Sequence, residues 1–262
     1  MTKDSGSPAR HAHSTSILTV TIVTLFPPLF DGWLRQGLVS RAVARKLAMV
    51  DLVDLRPFGI GRHLMTDDYP FGGGAGMVMK PEPMFAAVES LDLAANTPVI
   101  LLGPRGRQFT QQIVRDLAAL PHFILLAGHY EGVDERIRSH LATDELSIGD
   151  YVLSNGELAA MVITDAVMRL LPGALAEGSA EEESFSPDGV LEYPHYTRPA
   201  TFRSWAVPEI LLSGHHGEIA RWRRRQALLE TYRRRPDLLP AARLVADERR
   251  WLDEVIREPR ES

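Results

Sequence analysis

The chain has 262 residues, of which 45% are hydrophobic and 24% charged, a composition typical of globular proteins. It contains no cysteine, which excludes disulfides and thiolate metal sites and indicates a reducing compartment, expected here to be the cytoplasm. The net charge of −5 excludes a protein that is basic throughout, and no apolar run reaches the ~20 residues that cross a membrane, so no membrane partner is expected.

The first 15 residues, MTKDSGSPARHAHST, lack the apolar stretch of a signal peptide and predict a disordered extension, 1–15. Residues 16–174 then alternate apolar runs with amphipathic segments, which predicts an α/β domain with a parallel sheet. The strand patterns are SILTVTIVTLF, MVDLVDLRPF, TPVILLG, HFILLAG and ELSIGDYVL, and the helix patterns include LVSRAVARKL, QFTQQIVRDLAAL, GVDERIRSHL and GELAAMVITDAVMRLL.

Three predicted strands end in glycine-bearing loops: GPRGR at 103–107, GHYEG at 128–132 and IGDYVLSNGE at 148–157. Ligands of α/β proteins bind at such strand ends, where glycine lets the backbone approach a flat ligand closely. The spacing of Ser154 and Glu157 predicts a capping box that starts the next helix. Neither a G-x-x-x-x-G-K-[ST] loop nor a G-x-G-x-x-G turn is present, which weakens an ATP or NAD function, and no spacing predicts a metal site.

The segment DDYPFGGGAGMVM, 67–79, is rich in glycine and is interpreted either as a simple connection or as a lid that folds over a substrate. A domain boundary is predicted between residues 174 and 189, with 175–189 as an acidic linker. Residues 190–262 have helical patterns and no β alternation.

Basic residues cluster in the C-terminal region. Nine arginines against three glutamates lie between residues 198 and 235, and Trp205, Trp222 and Tyr232 are interleaved with them. Arginine with aromatic side chains suits phosphate contact and base stacking, so a polyanionic partner is predicted in preference to a merely solvated helix face.

The motifs together resemble those of the bacterial tRNA (guanine-N1)-methyltransferases, the TrmD family. The resemblance spans roughly residues 18 to 238 and is carried by DDYPFGGGAGMVM, LLGPRGRQFTQ, AGHYEGVDERI, LSIGDYVLSNGELAAMVITDAVMRLLPG, LEYPHYTRP and VPEILLSGHHGEIARWR. It implies a SPOUT-type parallel sheet with a deep C-terminal trefoil knot that holds S-adenosylmethionine, and a small all-helical C-terminal domain that binds tRNA.

The resemblance also implies methylation of N1 of the guanine at tRNA position 37, just 3′ of the anticodon, which maintains the reading frame. The resemblance further implies a homodimer with each active site at the subunit interface, and it suggests a need for magnesium.

Carried over by motif, the site residues fall into three groups. Glu183 and Arg169 are the expected catalytic residues. The cofactor-binding residues are expected to be Leu102, Gly103, Pro104, Gly128, Tyr130, Glu131, Ile148, Gly149, Asp150, Tyr151, Val152, Leu153 and Gly156. The tRNA-binding residues are expected to be Gly73, His195, Tyr196, Arg198, Arg223 and Arg224, and no metal ligands are expected.

This chain departs from the family pattern at two places. Asn155-Gly156 stands where the family usually has Gly-Gly, and Glu183 stands before Ser-Phe where the family has its catalytic aspartate. Glu181 and Glu182 have no such match, and Glu131 and Asp150 are the rival candidates for the base.

Two other functions stay open at this point. One is a knotted methyltransferase that acts on a ribose 2′-hydroxyl, which the linker carboxylate disfavours because ribose has no N1 proton to remove. The other is a non-catalytic RNA-binding protein of the same fold, which the presence of both Glu183 and Arg169 disfavours.

Overall fold

The computed structural model describes residues 17–176 and 183–257. The predicted extension 1–15, with Glu181 and Glu182, lies outside the described residues. The chain divides between Ala174 and Leu175 into two compact units, called here the sheet unit and the C-terminal unit.

The sheet unit contains seven strands and six α-helices within its described residues, 17–174. The strands are β1 (Leu18–Thr24), β2 (Ala48–Asp54), β3 (Asp67–Asp68), β4 (Val78–Met79), β5 (Val99–Gln108), β6 (His122–Ala127) and β7 (Asp144–Ser147). The helices are α1 (Asp31–Leu34), α2 (Gly37–Ala44), α3 (Pro81–Glu89), α4 (Gln111–Ala118), α5 (Glu135–His140) and α6 (Glu157–Arg169).

Five of these strands form one parallel sheet in the order β2-β1-β6-β5-β7, which confirms the predicted parallel α/β class. The central strands β1 and β6 are almost continuously apolar because both of their faces are covered. One core cluster packs α2, α4 and α6 against the sheet, and a second cluster packs α3 and α5. The sheet therefore lies between two layers of helices.

The strand predicted for ELSIGDYVL is shorter than expected, because β7 ends at Ser147. The Ser147 hydroxyl donates to the carbonyl of Gly149 at 3.1 Å and accepts from its amide at 3.3 Å, and these local bonds replace the ladder. Residues 148–156 consequently form a loop at the carboxyl edge of the sheet.

The predicted capping box at Ser154 and Glu157 is wrong. Helix α6 has Gly156 as its N-cap, and no side chain caps it. The carboxylate of Glu157 is fully buried and accepts a hydrogen bond from the Thr24 hydroxyl at 2.6 Å. The Glu157 side chain therefore bonds to Thr24 of β1 and not to the backbone at the start of its own helix, where the local pattern predicts it.

The C-terminal unit contains two strands and two α-helices within residues 183–257: β8 (Thr201–Phe202), β9 (Trp205–Ala206), α7 (His216–Arg234) and α8 (Ala246–Arg257). Its core is a small cluster around Val190, Ala227, Leu228 and Ala242. The expected all-helical composition of residues 190–262 is wrong at the antiparallel hairpin β8–β9. Strands β8 and β9 have two residues each, which is too short for an alternation of apolar and polar residues to be recognised in the sequence.

Candidate functional site

A cavity of about 880 Å³ opens in the sheet unit beside residues 101–105 of β5 and the ends of β6 and β7, a volume in the usual range for cofactor pockets. It brings together residues from all three glycine-bearing segments of the sequence. The prediction of a loop at 103–107 is wrong, because these residues lie inside β5. The expected cofactor-binding residues that line the cavity are Leu102, Gly103, Pro104, Gly128, Tyr130, Glu131, Ile148, Gly149, Tyr151, Val152, Leu153 and Gly156.

Three expected site residues of the sheet unit do not line this cavity. Asp150 is exposed and absent from the wall, and Gly73 lies in the turn between β3 and β4 outside the wall. Arg169 is the last residue of α6, whereas the cavity is at the other end of that helix. Twelve residues of helical rise separate Arg169 from Glu157 by ~18 Å.

Strand β5 supplies one wall through an irregularity in its pairing with β7. The register shifts between Leu102 and Arg107, so the intervening residues leave the ladder. Gly103, Pro104 and Arg105 line the cavity at this point. A strand interruption beside a ligand pocket is a common way to direct backbone groups toward a ligand.

Two glycines of the 148–156 loop are required by close approach. A Cβ on Gly156 would lie 2.8 Å from Cα of Ala127, and the Gly156 amide donates to the Gly128 carbonyl at 2.8 Å. Gly149 has φ +152°, and a Cβ there would lie 2.4 Å from the Tyr151 ring. A side chain at Gly156 would therefore displace the backbone at the end of β6, and the positive φ of Gly149 favours glycine there.

Tyr130, which lines the cavity, has a strained backbone with φ +59°. Its ring contacts the ring of His129 edge-on at 4.4 Å, and His129 contacts Phe26 at 5.1 Å. Burial raises the pKa of the Tyr130 hydroxyl, and the charge of Asp67 and a hydrogen bond to it raise that pKa further. The hydroxyl therefore stays protonated, and Asp67 holds it.

An ion-pair cluster that the sequence did not indicate borders the same cavity. Arg138 donates to Glu145 at 2.7 and 3.2 Å and to Glu135 at 2.6 Å. The hydrogen bond from Arg138 is the main cause of the lowered pKa of Glu135. Glu145 lies directly behind Gly103, where a Cβ would be 2.9 Å from its Oε1, so the cluster supports the backbone of the β5 wall.

The glycine-rich segment 67–79 forms a hairpin between β3 and β4, so it is more than an irregular connection. Tyr69, Pro70 and Phe71 line the cavity, and the Phe71 side chain is fully exposed. Gly76 approaches the Glu131 side chain so closely that a Cβ would lie 2.4 Å from its Cγ. The hairpin therefore lies beside the cavity, as a lid requires.

A second cavity, of about 750 Å³, lies within the C-terminal unit. Its wall contains the expected catalytic and tRNA-binding residues of this unit, Glu183, His195, Tyr196, Arg198, Arg223 and Arg224. Aromatic rings surround them: Tyr193 packs on His195 at 4.7 Å, and Tyr196 on Trp222 at 6.4 Å. The guanidinium of Arg223 lies 4.8 Å from the centre of the Tyr193 ring.

Arg224 differs from the other arginines of this cavity because two carboxylates engage it. It donates to Glu248 at 2.7 and 3.1 Å and forms an ion pair with Asp188. The hydrogen bond from Arg224 is the main cause of the lowered pKa of Glu248. The geometry therefore gives Arg224 a role in holding the segment around Asp188 and helix α8 to α7.

We expect Arg224→Ala to destabilise the C-terminal unit by ~1–3 kcal/mol at pH 7, because two partly buried carboxylates lose their donor. A lowered pKa contributes stability above the unfolded-state value of ~4.3 and loses it as pH falls through the folded value. The difference between wild type and variant should therefore shrink below about pH 4. Urea unfolding at several pH values measures the difference in the free energy of unfolding.

Arg250→Ala, at an exposed arginine paired with Asp247, is the control and should change stability by under ~0.5 kcal/mol.

Within residues 17–176 and 183–257, no three His, Asp or Glu side chains cluster as metal ligands. Over the same part of the chain, no helix has the length and apolarity to cross a membrane.

Comparison with known proteins gives consistent matches over most of the chain. The family described as tRNA (Guanine-1)-methyltransferase TrmD matches residues 18–241. A tRNA (guanine-N(1)-)-methyltransferase of Moorella thermoacetica is 53% identical over 244 residues, which covers 92% of this chain and 97% of the relative. One from Halalkalibacterium halodurans is 53% identical over 91% of this chain and 98% of the relative, and one from Dehalococcoides mccartyi is 46% identical over 92% and 98%. The chain belongs to the TrmD family of tRNA (guanine-1)-methyltransferases.

Proposed function

We propose that this protein methylates N1 of the guanine at position 37 of tRNA, with S-adenosylmethionine as methyl donor. The observation that carries the proposal is the cavity of the sheet unit. All the cofactor positions inferred from the family motifs, except Asp150, lie in its wall, although they come from separate segments.

The residues of the cavity fit the cofactor. Leu102, Ile148 and Leu153 provide apolar contacts for a flat adenine ring, and glycines leave backbone amides and carbonyls open to hydrogen bonds. Glu131 adds a carboxylate that can accept from hydroxyl or ammonium groups. When bound, the cofactor supplies a methyl group that its sulfonium already activates.

The protein's own task is then to orient the guanine and to remove the proton from N1. Holding donor and acceptor in line can lower the barrier by ~7–11 kcal/mol. We assign the removal of the N1 proton to Glu183, whose side chain lines the cavity of the C-terminal unit. We assign the stabilisation of negative charge on the guanine to Arg169. The cavity wall of the C-terminal unit, rich in arginine and aromatic rings, suits an RNA chain.

A trefoil knot in the sheet unit is part of the proposal. Strand β5 lies between β7 and β6 in the sheet, yet the loop that leaves β7 reaches β6 through the bond from Gly156 to Gly128. The 148–156 loop must therefore pass β5 to reach the residues that follow β6 before α6 begins. Such a crossing is what the family's knot requires.

A homodimer is proposed on two observations. Leu158 and Val162, four residues apart on α6, are 51% and 47% exposed, and Leu29 is 52% exposed, so the sheet unit presents apolar side chains that a partner can bury. Arg169 is ~15 Å along α6 from Ala159, which lines the cavity of its own chain. If Arg169 is catalytic, it serves the cavity of a second copy.

The proposal is tested by methyl transfer from labelled S-adenosylmethionine to tRNA transcripts with guanine or adenine at position 37, with and without magnesium. We expect transfer to the guanine transcript alone. Transfer to both transcripts would support a ribose methyltransferase, and binding without transfer would support a non-catalytic RNA-binding protein. A tRNA substrate places the proposed activity in the cytoplasm.

We expect tRNA affinity to fall with salt by a log–log slope of ~0.7–0.9 per neutralised phosphate. Arg198 lines the second cavity and Arg221 lies between the lining residues Ala220 and Trp222, and both arginines are exposed. Arg221 forms an ion pair with Glu218 at 3.3 Å. Changing both arginines to Glu should flatten the slope by ~1.5 and leave cofactor binding intact. The charge-matched control is Arg250→Glu on α8. An unchanged slope in the double variant would place the phosphate contacts elsewhere.

A further inference from the structure

The hairpin β8–β9 presents two aromatic rings to solvent. Phe202 is 56% exposed and Trp205 is 64% exposed, and their ring centres lie 6.1 Å apart at an interplanar angle of 46°. Each ring leaves a large apolar surface in water, although tryptophan and phenylalanine are usually well buried in folded proteins.

Arg203 joins the two rings at the turn. Its guanidinium carbon lies 5.4 Å from the centre of the Phe202 ring and 5.7 Å from that of Trp205, and its backbone has φ +58°. In the described part of the chain, no carboxylate pairs with Arg203. The left-handed turn thus holds an uncompensated positive charge against two aromatic rings.

The hairpin is continuous with the second cavity. The Val207 amide donates to the Ala200 carbonyl at 2.9 Å, and both residues line that cavity, so the hairpin extends from its rim. On the cavity side, Tyr196 packs on Trp222, and the guanidinium of Arg223 packs on Tyr193. The same combination of ring and guanidinium therefore runs from the cavity to the tip of the hairpin.

We propose that this hairpin is a stacking site for an unpaired base of the tRNA, with Arg203 contacting an adjoining phosphate. This inference rests on the proposed function for its choice of RNA. Exposed rings stack on any base through their faces, and a guanidinium beside them binds the phosphate that follows. The balance of nine arginines to three glutamates between residues 198 and 235 favours a polyanion over a second protein surface.

The test separates stacking from hydrophobic docking by replacing ring faces with aliphatic side chains. We expect Trp205→Leu and Phe202→Leu each to weaken binding of the tRNA transcript by about 5- to 100-fold, the change that corresponds to ~1–3 kcal/mol for a stacked base. The salt slope should stay the same, because stacking displaces no counterions. Trp205→Phe keeps a ring and should bind within about threefold of wild type.

Arg203→Ala tests the phosphate contact in the same assay. It should lower the salt slope by ~0.7–0.9, whereas Arg250→Ala on α8 should leave the slope unchanged. Cofactor binding and molecular mass should match wild type in every hairpin variant. Wild-type tRNA affinity in both leucine variants would overturn the inference, and so would a loss of tRNA affinity that accompanies a change in oligomeric mass.

The outcome is distinguishable from a failure of the proposed function. If the wild-type protein transfers no methyl group to tRNA, the proposed function fails whatever the hairpin variants do. If the wild type methylates tRNA and the leucine variants bind it equally well, only the stacking site is wrong.

Discussion

Glu183→Gln is expected to lower single-turnover methyl transfer by ~10²–10⁴, the usual cost of removing a positioned general base. Glu183 lines the cavity of the C-terminal unit, and the segment that carries it is folded. The Ser186 amide donates to the Glu183 carbonyl at 3.1 Å, and the Phe185 amide donates to Val190 at 2.9 Å. The amide of the variant keeps the shape of the side chain but cannot take the proton.

The control is Glu192→Gln in the same cavity wall, whose carboxylate lies 3.4 Å from His195. Glu192→Gln should retain most of the activity, because the proposed base depends on the position of the carboxylate at residue 183 and not on the total charge of the cavity wall. Glu183→Asp should retain more activity than Glu183→Gln, because it restores a carboxylate of the family's type. If Glu183→Gln turns over like wild type while Glu182→Gln or Glu131→Gln is inactive, the base lies elsewhere.

Gly128→Val is expected to abolish measurable binding of S-adenosylmethionine, a loss of at least ~100-fold, while the protein stays folded. A Cβ at Gly128 would meet Val133 at 3.5 Å and the Leu102 carbonyl at 3.7 Å, which are ordinary contacts. Because Gly128 lines the cavity and one Cβ already reaches contact distance of its neighbours, we expect the two further methyl groups of valine to extend into the cavity. Overpacking of this kind costs ~1–3 kcal/mol, less than the stability of a typical domain.

Isothermal calorimetry with the cofactor measures this effect, and circular dichroism checks the fold. Gly128→Ala is the matched control, since its single methyl group fits and should weaken binding much less. Wild-type affinity in Gly128→Val would refute the assignment of this cavity to the cofactor.

Much of the sheet unit could be predicted because its signals are local. The strands β1 and β6 are buried on both faces and therefore appear as apolar runs. Glycines in the second half of β5 and in the loops that follow β6 and β7 line the cavity. Parallel strands end at the same edge, so loops far apart in sequence were expected to meet there, and they line one cavity.

The motifs did not predict the surroundings of every single side chain. Asp150 shares its motif with cavity residues, but its side chain is exposed outside the wall. Arg224 belongs to the basic cluster, but its guanidinium forms ion pairs with Asp188 and Glu248. A motif specifies the path of the backbone, whereas the direction and partners of each side chain depend on the elements packed around it.

The amino-acid sequence by itself determined the parallel α/β class, the sheet edge at which the cavity lies and the basic, aromatic character of the C-terminal region, since periodicity, glycine placement and composition act over a few residues. Only the tertiary structure decided which polar groups meet. Thr24 and Glu157 are 133 residues apart in the chain, and Arg224 and Glu248 are 24 apart. No local pattern records such pairs, because they form only when packing of the core brings separate elements within hydrogen-bond distance.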